Sequence, residues 1–299
     1  MIDSRLPPRV LVFDSGIGGL SVAGCIHRAL PSVQLVYLAD SAGFPYGEQP
    51  ESVVVERSKY LIGAALEAFP CDIVVVACNT ASTVVLPALR AMTDTPVIGV
   101  VPAIKPAAAL SRNRRIGILA TPATIARTYL TELVEEFASD CLVERIGHPN
   151  LVYWIEQQLS GGLAGRKVPA QALSEALQPF RDAAVDTVVL GCTHYPLIAP
   201  LLRELLPEVS FWVDSGDAIA RRVGWLLEQR GASTDSLCKP VFGKPLQQVL
   251  FTGGLPEGVA GFLEELGLPA DQLSGNWPTE QESNQSRQFE HEKEFQRGK

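Results

Sequence analysis

Short aliphatic runs alternate along the chain with longer stretches in which apolar residues recur at helical spacing. The near-continuous Val, Ile and Leu content of these runs predicts strands that are buried on both faces of a parallel sheet. The first four runs lie at residues 9–14, 34–40, 72–79 and 96–101. Helices are predicted between them over residues 18–30 and 52–69. This alternation of strand and helix predicts an α/β fold.

The same alternation starts again in the middle of the chain. Further strands are predicted at residues 115–121, 141–147, 186–194 and 209–216. Further helices are predicted at residues 124–138, 151–160 and 170–183. The tetrapeptide FDSG at 13–16 is echoed by VDSG at 213–216. We therefore expect two pseudo-symmetric lobes, each with a mainly parallel sheet flanked by helices and with a cleft between them.

The C-terminal segment has a different composition. From residue 275 the chain is polar and charged, with only scattered aromatic residues. Such a segment buries too little apolar surface to offset the entropy lost on ordering. We predict a flexible tail over residues 275–299.

Charge and cysteine content limit what the protein binds and where it works. The 299 residues include 25 Lys and Arg against 33 Asp and Glu, so the net charge of −8 gives no general attraction to nucleic acid or anionic lipid. No apolar run approaches the roughly 20 residues that span a bilayer. The six cysteines are dispersed, without disulfide or metal-site spacing. We expect a soluble, cytoplasmic protein with reduced thiols, no metal and no direct contact with nucleic acid or membrane.

Two of the cysteines follow aliphatic runs in similar surroundings. Cys78 ends the run DIVVVAC and Cys192 ends the run DTVVLGC. The carboxyl ends of parallel strands carry the ligand sites of open α/β sheets, and a helix N-terminus or a nearby cation there turns a thiol into a thiolate. The alternative is that each cysteine is a small buried hydrophobe.

Two thiols at matching positions favour proton transfer over covalent catalysis. A thiol-dependent hydrolase or lyase needs one cysteine with a base and an oxyanion site, and it gives a second cysteine no role. Inverting a stereocentre requires one group that removes a proton from one face and another that returns a proton to the opposite face. Two lobes closing on a cleft would supply both groups.

Four motifs in order identify a family resemblance. FDSGIGGLS, DSAGFPYG, VVACNTAS and LGCTHYPL together resemble the motif set of glutamate racemases, and the similarity spans residues 11 to 216. The resemblance implies interconversion of L- and D-glutamate without a cofactor, which supplies D-glutamate for peptidoglycan synthesis. It also implies that Cys78 takes the α-proton of D-glutamate while Cys192 protonates the opposite face, with the roles exchanged for L-glutamate. A racemase of another acidic amino acid such as aspartate, or a catalytically silent binding module, remains the alternative.

The resemblance implies roles for further residues. Asp14 would assist Cys78, although capping of the following GIGGLS turn is its alternative role. His194 would assist Cys192, and Glu156 would pair with His194 or with the substrate ammonium. The family's usual cysteine ahead of that last segment is here His148. The substrate contacts implied are Asp14, Ser15, Tyr46, Gly47, Asn79, Thr80, Thr193 and His194.

Other expectations concern motifs, boundaries and partners. GIGGLS carries Ser21 where a dinucleotide loop requires its last glycine, so no nicotinamide or flavin site is expected. Thr121 and Thr124 resemble a pocket-lining pair, with a turn and a helix N-cap as the alternative. By resemblance the first lobe comprises residues 1–102 and 214–274, and the second comprises 103–213. Glutamate is the expected ligand, and a cell-wall precursor as activator and a homodimer are candidate partners.

Overall fold

The computed structural model describes residues 7–160, 168–240 and 243–278. Two parallel sheets flanked by helices form an α/β structure, as the sequence predicts. The strands of the first sheet are β1 (Arg9–Asp14), β2 (Gln34–Ala39), β3 (Ile73–Val76), β4 (Val97–Gly99), β9 (Leu246–Phe251) and β10 (Ala270–Ser274). Those of the second sheet are β5 (Arg115–Ala120), β6 (Leu142–Gly147), β7 (Thr187–Leu190) and β8 (Phe211–Val213).

The helices connect and cover these strands. Those before β7 are α1 (Leu20–Ala29), α2 (Glu51–Ala68), α3 (Asn79–Ser82), α4 (Leu86–Met92), α5 (Ile104–Leu110), α6 (Pro122–Ile125), α7 (Thr128–Phe137), α8 (Leu151–Glu156), α9 (Ala170–Ala176) and α10 (Gln178–Asp182). Those after β7 are α11 (Ala199–Leu205), α12 (Gly216–Gln229), α13 (Thr234–Leu237) and α14 (Val259–Glu265). Short 3-10 helices occupy Tyr46–Glu48, Gln157–Ser160 and Tyr195–Ile198.

Each cysteine follows a strand that lies beside another strand of its sheet: β3 beside β1, and β7 beside β5. The first sheet has the order β10-β9-β2-β1-β3-β4 and the second has the order β6-β5-β7-β8. In the first sheet Phe13 of β1 is paired with Val76 of β3, so Asp14 and Cys78 leave adjacent strands at the same edge. In the second sheet Leu119 of β5 is paired with Leu190 of β7, so Thr121 and Cys192 also follow adjacent strands at one edge of their sheet.

The core explains why the strand sequences are almost continuously apolar. Val10 and Val12 on one face of β1 pack in a cluster that also contains Val188 and Leu190 of the second sheet. Leu11 and Phe13 on the other face pack against α2 and α4 in a separate cluster. Both faces of the strand are therefore buried, which is the burial that such runs predict. One apolar core continues from the first sheet to the second.

Several elements differ from the sequence prediction. The strands β9 and β10 were not predicted, because Gln247 and Gln248 interrupt the apolar run of β9 with partly exposed side chains. The helix predicted over 170–183 is divided at Leu177, since Pro179 in the first turn of α10 is compatible only with a helix start. The helix predicted over 124–138 is likewise two helices, α6 and α7.

The C-terminal prediction was partly wrong. Trp277 is only 4% exposed and packs in the apolar cluster on the α2 side of the first sheet. Its backbone N–H donates to the carbonyl of Phe251, at 3.0 Å. An indole can bury enough apolar surface to order its neighbours, so the predicted tail does not begin at residue 275. Its remaining residues, 279–299, lie outside the described part of the chain.

The helices are too short or too polar to cross a bilayer. This holds for every helix in the three described ranges.

Candidate active site

The two cysteines predicted to react line a single cavity. Cys78 is the residue before α3, and Cys192 follows β7 by two residues; their exposures are 7% and 8%. The cavity has a volume of about 110 Å³. Its walls come from loops of both sheets: Ser15, Phe44, Pro45, Tyr46, Gly47, Glu48, Cys78, Asn79, Thr80, Thr121, Pro122, Ala123, Thr124, Pro149, Val152, Cys192, Thr193 and His194. The structure therefore brings together two motifs that are distant in the sequence.

Cys78 lies in surroundings that keep its thiol protonated. Burial raises its pKa well above the ordinary value, and the nearby charge of Asp14 raises it further. A backbone hydrogen bond at Ala81 and a contact with Ser15 act in the opposite direction. The Oγ of Ser15 lies 3.9 Å from the Cys78 Sγ. The charge of Cys192 also acts on this pKa, so the two sulfurs are within electrostatic range of each other.

Cys192 has a different partner. Its Sγ lies 3.7 Å from Nδ1 of His194, whose Nε2 lies 2.7 Å from Oε1 of Glu156. Burial alone lowers the pKa of His194, but its hydrogen bonds with Cys192 and Glu156 outweigh burial and raise that pKa well above the ordinary value. An imidazolium beside a sulfur is the arrangement that favours a thiolate. His194 therefore contacts Cys192, the residue that it is predicted to assist.

Asp14 is buried behind the cavity wall. It is 0% exposed and does not belong to the cavity lining, so the structure does not bring it to the wall as a substrate contact. Its carboxylate accepts the backbone N–H of Ser15 at 2.6 Å and the hydroxyl of Thr193 at 2.9 Å. Burial raises the pKa of Asp14, and the positive charge of His194 partly offsets that effect. Asp14 thus acts on the cavity through Ser15 and Thr193. The alternative role of Asp14 as a helix cap is wrong, because α1 begins at Leu20 without a side-chain cap.

Glu156 is also behind the wall, at the back of His194. The Oε1 that faces His194 also accepts the backbone N–H of Ile17, at 2.7 Å. Ile17 belongs to the loop after β1, whereas Glu156 is the last residue of α8. The carboxylate therefore joins the first-sheet loop to the second-sheet histidine. Of the two roles expected for it, pairing with His194 is the one seen here.

The glycines of the GIGG motif allow this close approach. A Cβ on Gly16 would overlap the Glu156 carboxylate, and a Cβ on Gly18 would overlap the His194 ring. A Cβ on Gly19 would lie 2.9 Å from the Cβ of Asp14. Real side chains do not tolerate such separations. The glycine-rich stretch therefore serves packing between loops.

The other residues predicted to contact substrate all lie on the cavity wall. They are Ser15, Tyr46, Gly47, Asn79, Thr80 and Thr193. The hydroxyl of Tyr46 donates to Oδ2 of Asp40 at 2.6 Å. The Tyr46 ring therefore forms part of the cavity wall, while its hydroxyl points away from a ligand in the cavity. Oδ1 of Asn79 is buried without a protein partner among the described residues, which leaves it available to a ligand. A Cβ on Gly47 would lie 3.5 Å from Ala123, so protein packing alone does not require glycine there.

The wall also contains Phe44 and Val152, which are not among the predicted site residues. Phe44 has its ring centroid 5.8 Å from that of His194 and 5.5 Å from that of Tyr153. Val152 is four residues before Glu156 on α8, so helical spacing could have placed both on one side. Thr121 and Thr124 line the cavity, while the Thr121 hydroxyl also accepts the N–H of Thr124 as the N-cap of α6. Both roles weighed for this pair therefore coexist.

The chain is similar to known racemases in sequence and in structure. The family model for Asp/Glu/hydantoin racemases matches residues 17–223. A glutamate racemase of Photorhabdus laumondii is 50% identical over 236 residues, covering 77% of this chain and 81% of the relative. The Escherichia coli glutamate racemase structure in complex with L-glutamate and the activator UDP-MurNAc-ala is 43% identical, with a TM-score of 0.79 over 90% of this chain and 97% of that one. The Bacillus anthracis RacE1 glutamate racemase structure is 28% identical, with a TM-score of 0.72 over 89% and 97% of the two chains.

Proposed function

The chain belongs to the Asp/Glu/hydantoin racemase family, and on that premise we propose that it interconverts L- and D-glutamate by proton transfer between Cys78 and Cys192. One observation carries the mechanism: both thiols line one cavity, with His194 against Cys192 and with Asp14 leaving the strand next to that of Cys78. Asp14 acts on Cys78, and His194 lies beside Cys192. A single-cysteine hydrolase would leave one of these pairs without a role.

The protonation pattern prepares the site for one enantiomer at a time. Burial and Asp14 favour the thiol form of Cys78, whereas the Sγ of Cys192 lies 3.7 Å from Nδ1 of His194. Cys192 would take the α-proton of L-glutamate, and Cys78 would deliver its own proton to the opposite face of Cα. The product is D-glutamate, with a thiolate at Cys78 and a thiol at Cys192. That state is the one required for the reverse reaction.

The walls supply binding and exclude water. Asn79 and Thr80 at the start of α3, with Ser15 and Thr193, present donors and acceptors that can hold the substrate carboxylates. The rings and methyl groups of Phe44, Pro122, Ala123, Pro149 and Val152 surround them. Low solvent content strengthens the interactions with the negative charge that develops when the weakly acidic Cα–H ionises. Fixing Cα between two sulfurs also removes the entropy cost of bringing base and acid together.

We also propose a role in cell-wall synthesis, which the similarity to glutamate racemases supports. The E. coli structure contains UDP-MurNAc-ala as activator, so a nucleotide-linked cell-wall precursor is the activator to test here. A supply of D-glutamate for peptidoglycan is the corresponding cellular role. Deletion of the gene should then create a requirement for D-glutamate that L-glutamate does not relieve.

The direct test follows the α-proton. Purified protein is incubated in D₂O with L-glutamate or D-glutamate, with and without UDP-MurNAc-L-alanine, while proton NMR and optical rotation are recorded. Loss of the α-proton signal from both enantiomers, together with decay of the rotation to zero, is the expected result. No exchange from either enantiomer with the precursor present would contradict the proposal. Exchange of aspartate under the same conditions would redirect it to that substrate.

A further inference from the structure

One contact at the mouth of the cavity, and a second contact three residues along the chain from lining residues Glu48 and Thr124, join the two sides. Gly47 and Glu48 both line the cavity and are exposed, so they mark where it opens. The hydroxyl of Tyr153, on α8, donates to Oε1 of Glu48 at 2.7 Å. Arg127, directly before α7, forms an ion pair with Glu51 at the start of α2. Each contact connects the first-sheet side to the second-sheet side.

The contacts at the back of the cavity are of another kind. Thr193 donates to Asp14 between two buried side chains, and Ser21 donates to the Thr193 carbonyl at 2.8 Å. Breaking these bonds would leave buried polar groups unpaired, which is costly. The mouth contacts involve exposed groups that water can satisfy when they part. The mouth is therefore the side at which the cleft opens with the smaller loss of free energy.

The first-sheet side of the mouth is held rigidly. Asp40 is 0% exposed and accepts Tyr46 Oη at 2.6 Å, Arg57 Nε at 2.7 Å and Thr252 Oγ1 at 2.7 Å. This network fixes the 3-10 turn that carries Glu48. Because the turn cannot easily move, opening must separate Glu48 from its second-sheet partner.

The second-sheet partner is connected to the reacting histidine. Phe44 packs edge to face on the ring of Tyr153, with centroids 5.5 Å apart, and it also contacts His194. Removing only the hydroxyl of Tyr153 would leave this aromatic contact in place. The hydrogen bond to Glu48 can thus be tested separately from the packing of the wall.

We propose that the Glu48–Tyr153 hydrogen bond and the Glu51–Arg127 ion pair form a latch that must break each time an amino acid enters or leaves the cavity. Tyr153 is a positioning residue in this scheme, since it does not line the cavity and acts through Glu48. The inference rests on the proposed function for its ligand, an acidic amino acid. The opening itself does not depend on racemisation and can be measured without it.

The test uses the protein's own thiols as reporters. The full chain is treated with iodoacetamide, a neutral reagent, and labelling at each cysteine is followed by peptide mass spectrometry in wild type, Tyr153→Phe and Arg127→Gln. Cys78 and Cys192 report opening of the cavity, and exposed Cys238 reports reagent activity. Cys25, which is 8% exposed in the core against α12, reports general loosening. Tyr129→Phe, at an exposed tyrosine outside the cavity lining, is the matched control.

Tyr153→Phe should speed labelling of Cys78 and Cys192 about fivefold relative to labelling of Cys238. This factor corresponds to a fall of about 1 kcal/mol in the free energy of opening, since a factor of ten corresponds to about 1.4 kcal/mol. Labelling of Cys25 should not change, and Tyr129→Phe should behave as wild type. Added salt should speed cavity labelling in wild type but not in Arg127→Gln, since salt screens the exposed ion pair. Unchanged labelling at both cavity cysteines, or an equal rise at Cys25, would overturn the latch. Because no glutamate is present, either result is independent of whether the protein racemises glutamate.

Discussion

Oε1 of Glu156 lies 2.7 Å from Nε2 of His194, and the same oxygen accepts the backbone N–H of Ile17. A carboxylate from the second-sheet side therefore depends on a first-sheet loop for its orientation. It also keeps the imidazole of His194 in place beside Cys192. This one oxygen therefore both helps to keep His194 protonated and joins the second-sheet side to the first-sheet loop.

Glu156→Gln should narrow the pH range of activity. Glutamine keeps the size and an acceptor oxygen but removes the negative charge that helps to raise the His194 pKa. The imidazolium would then lose its proton at a lower pH, so the alkaline limb of kcat/KM should move to lower pH. Rate profiles for both enantiomers between pH 6 and 10 would show the shift. An unchanged alkaline limb would exclude His194 as the titrating group.

Cys78→Ala and Cys192→Ala should each abolish racemisation but leave one-sided exchange. With Cys78 gone, Cys192 can still remove the α-proton of L-glutamate, so L-glutamate should slowly gain deuterium without forming D-glutamate. Cys192→Ala should show the mirror behaviour with D-glutamate. We expect turnover to fall at least about a thousandfold, within the range for loss of a general acid or base. Chiral chromatography with mass spectrometry separates exchange from inversion, and near-normal racemisation by either variant would exclude the two-base assignment.

Gly18→Ala should damage the site more than the fold. The added methyl group would overlap the His194 ring, which must move away from Cys192. We expect kcat/KM to fall at least about tenfold, or about 1.4 kcal/mol of transition-state free energy. Gly261→Ala is the matched control, because its methyl group meets nothing within 4 Å and lies on α14. That control should keep full activity and gain up to about 1 kcal/mol of stability.

Asp40→Asn should destabilise the protein and loosen the cavity wall. Hydrogen bonds from Arg57, Thr252 and Tyr46 outweigh the effect of burial and lower the Asp40 pKa. We expect the free energy of unfolding at pH 7 to fall by about 2 kcal/mol. This loss is smaller than for a fully buried ion pair, because the Arg57 side chain is 36% exposed and solvent screens its charge. KM for glutamate should rise, since Tyr46 loses its charged partner.

The sign of the pH effect follows from the lowered pKa. The stability contributed by Asp40 is present above its unfolded pKa, near 3.8, and is lost as pH falls through the lower folded value. Urea unfolding should therefore show a constant difference between wild type and Asp40→Asn from pH 7 to about pH 5, which shrinks under more acid conditions. A difference that grows as pH falls would contradict this assignment.

Much of the site was predictable because its residues lie next to strong local signals. Cys78 and Cys192 end continuous aliphatic runs, and neighbouring parallel strands end at one edge of a sheet. Their immediate neighbours Asn79, Thr80 and Thr193 follow from the same position. Phe44 carries no comparable signal, since a phenylalanine in a turn is usually a packing residue, and Val152 has only its helical spacing from Glu156.

The sequence by itself determined the α/β class, the two thiols and the ordered motifs that identify the family, because side-chain periodicity and residue chemistry are local properties of the chain. Only the tertiary structure decided that β9 and β10 join the first sheet, and that Asp14 and Glu156 stand behind the cavity wall. It alone paired Tyr153 with Glu48, which are 105 residues apart. Such contacts depend on how two sheets pack, and packing is set by the summed burial of many side chains, which no short segment contains.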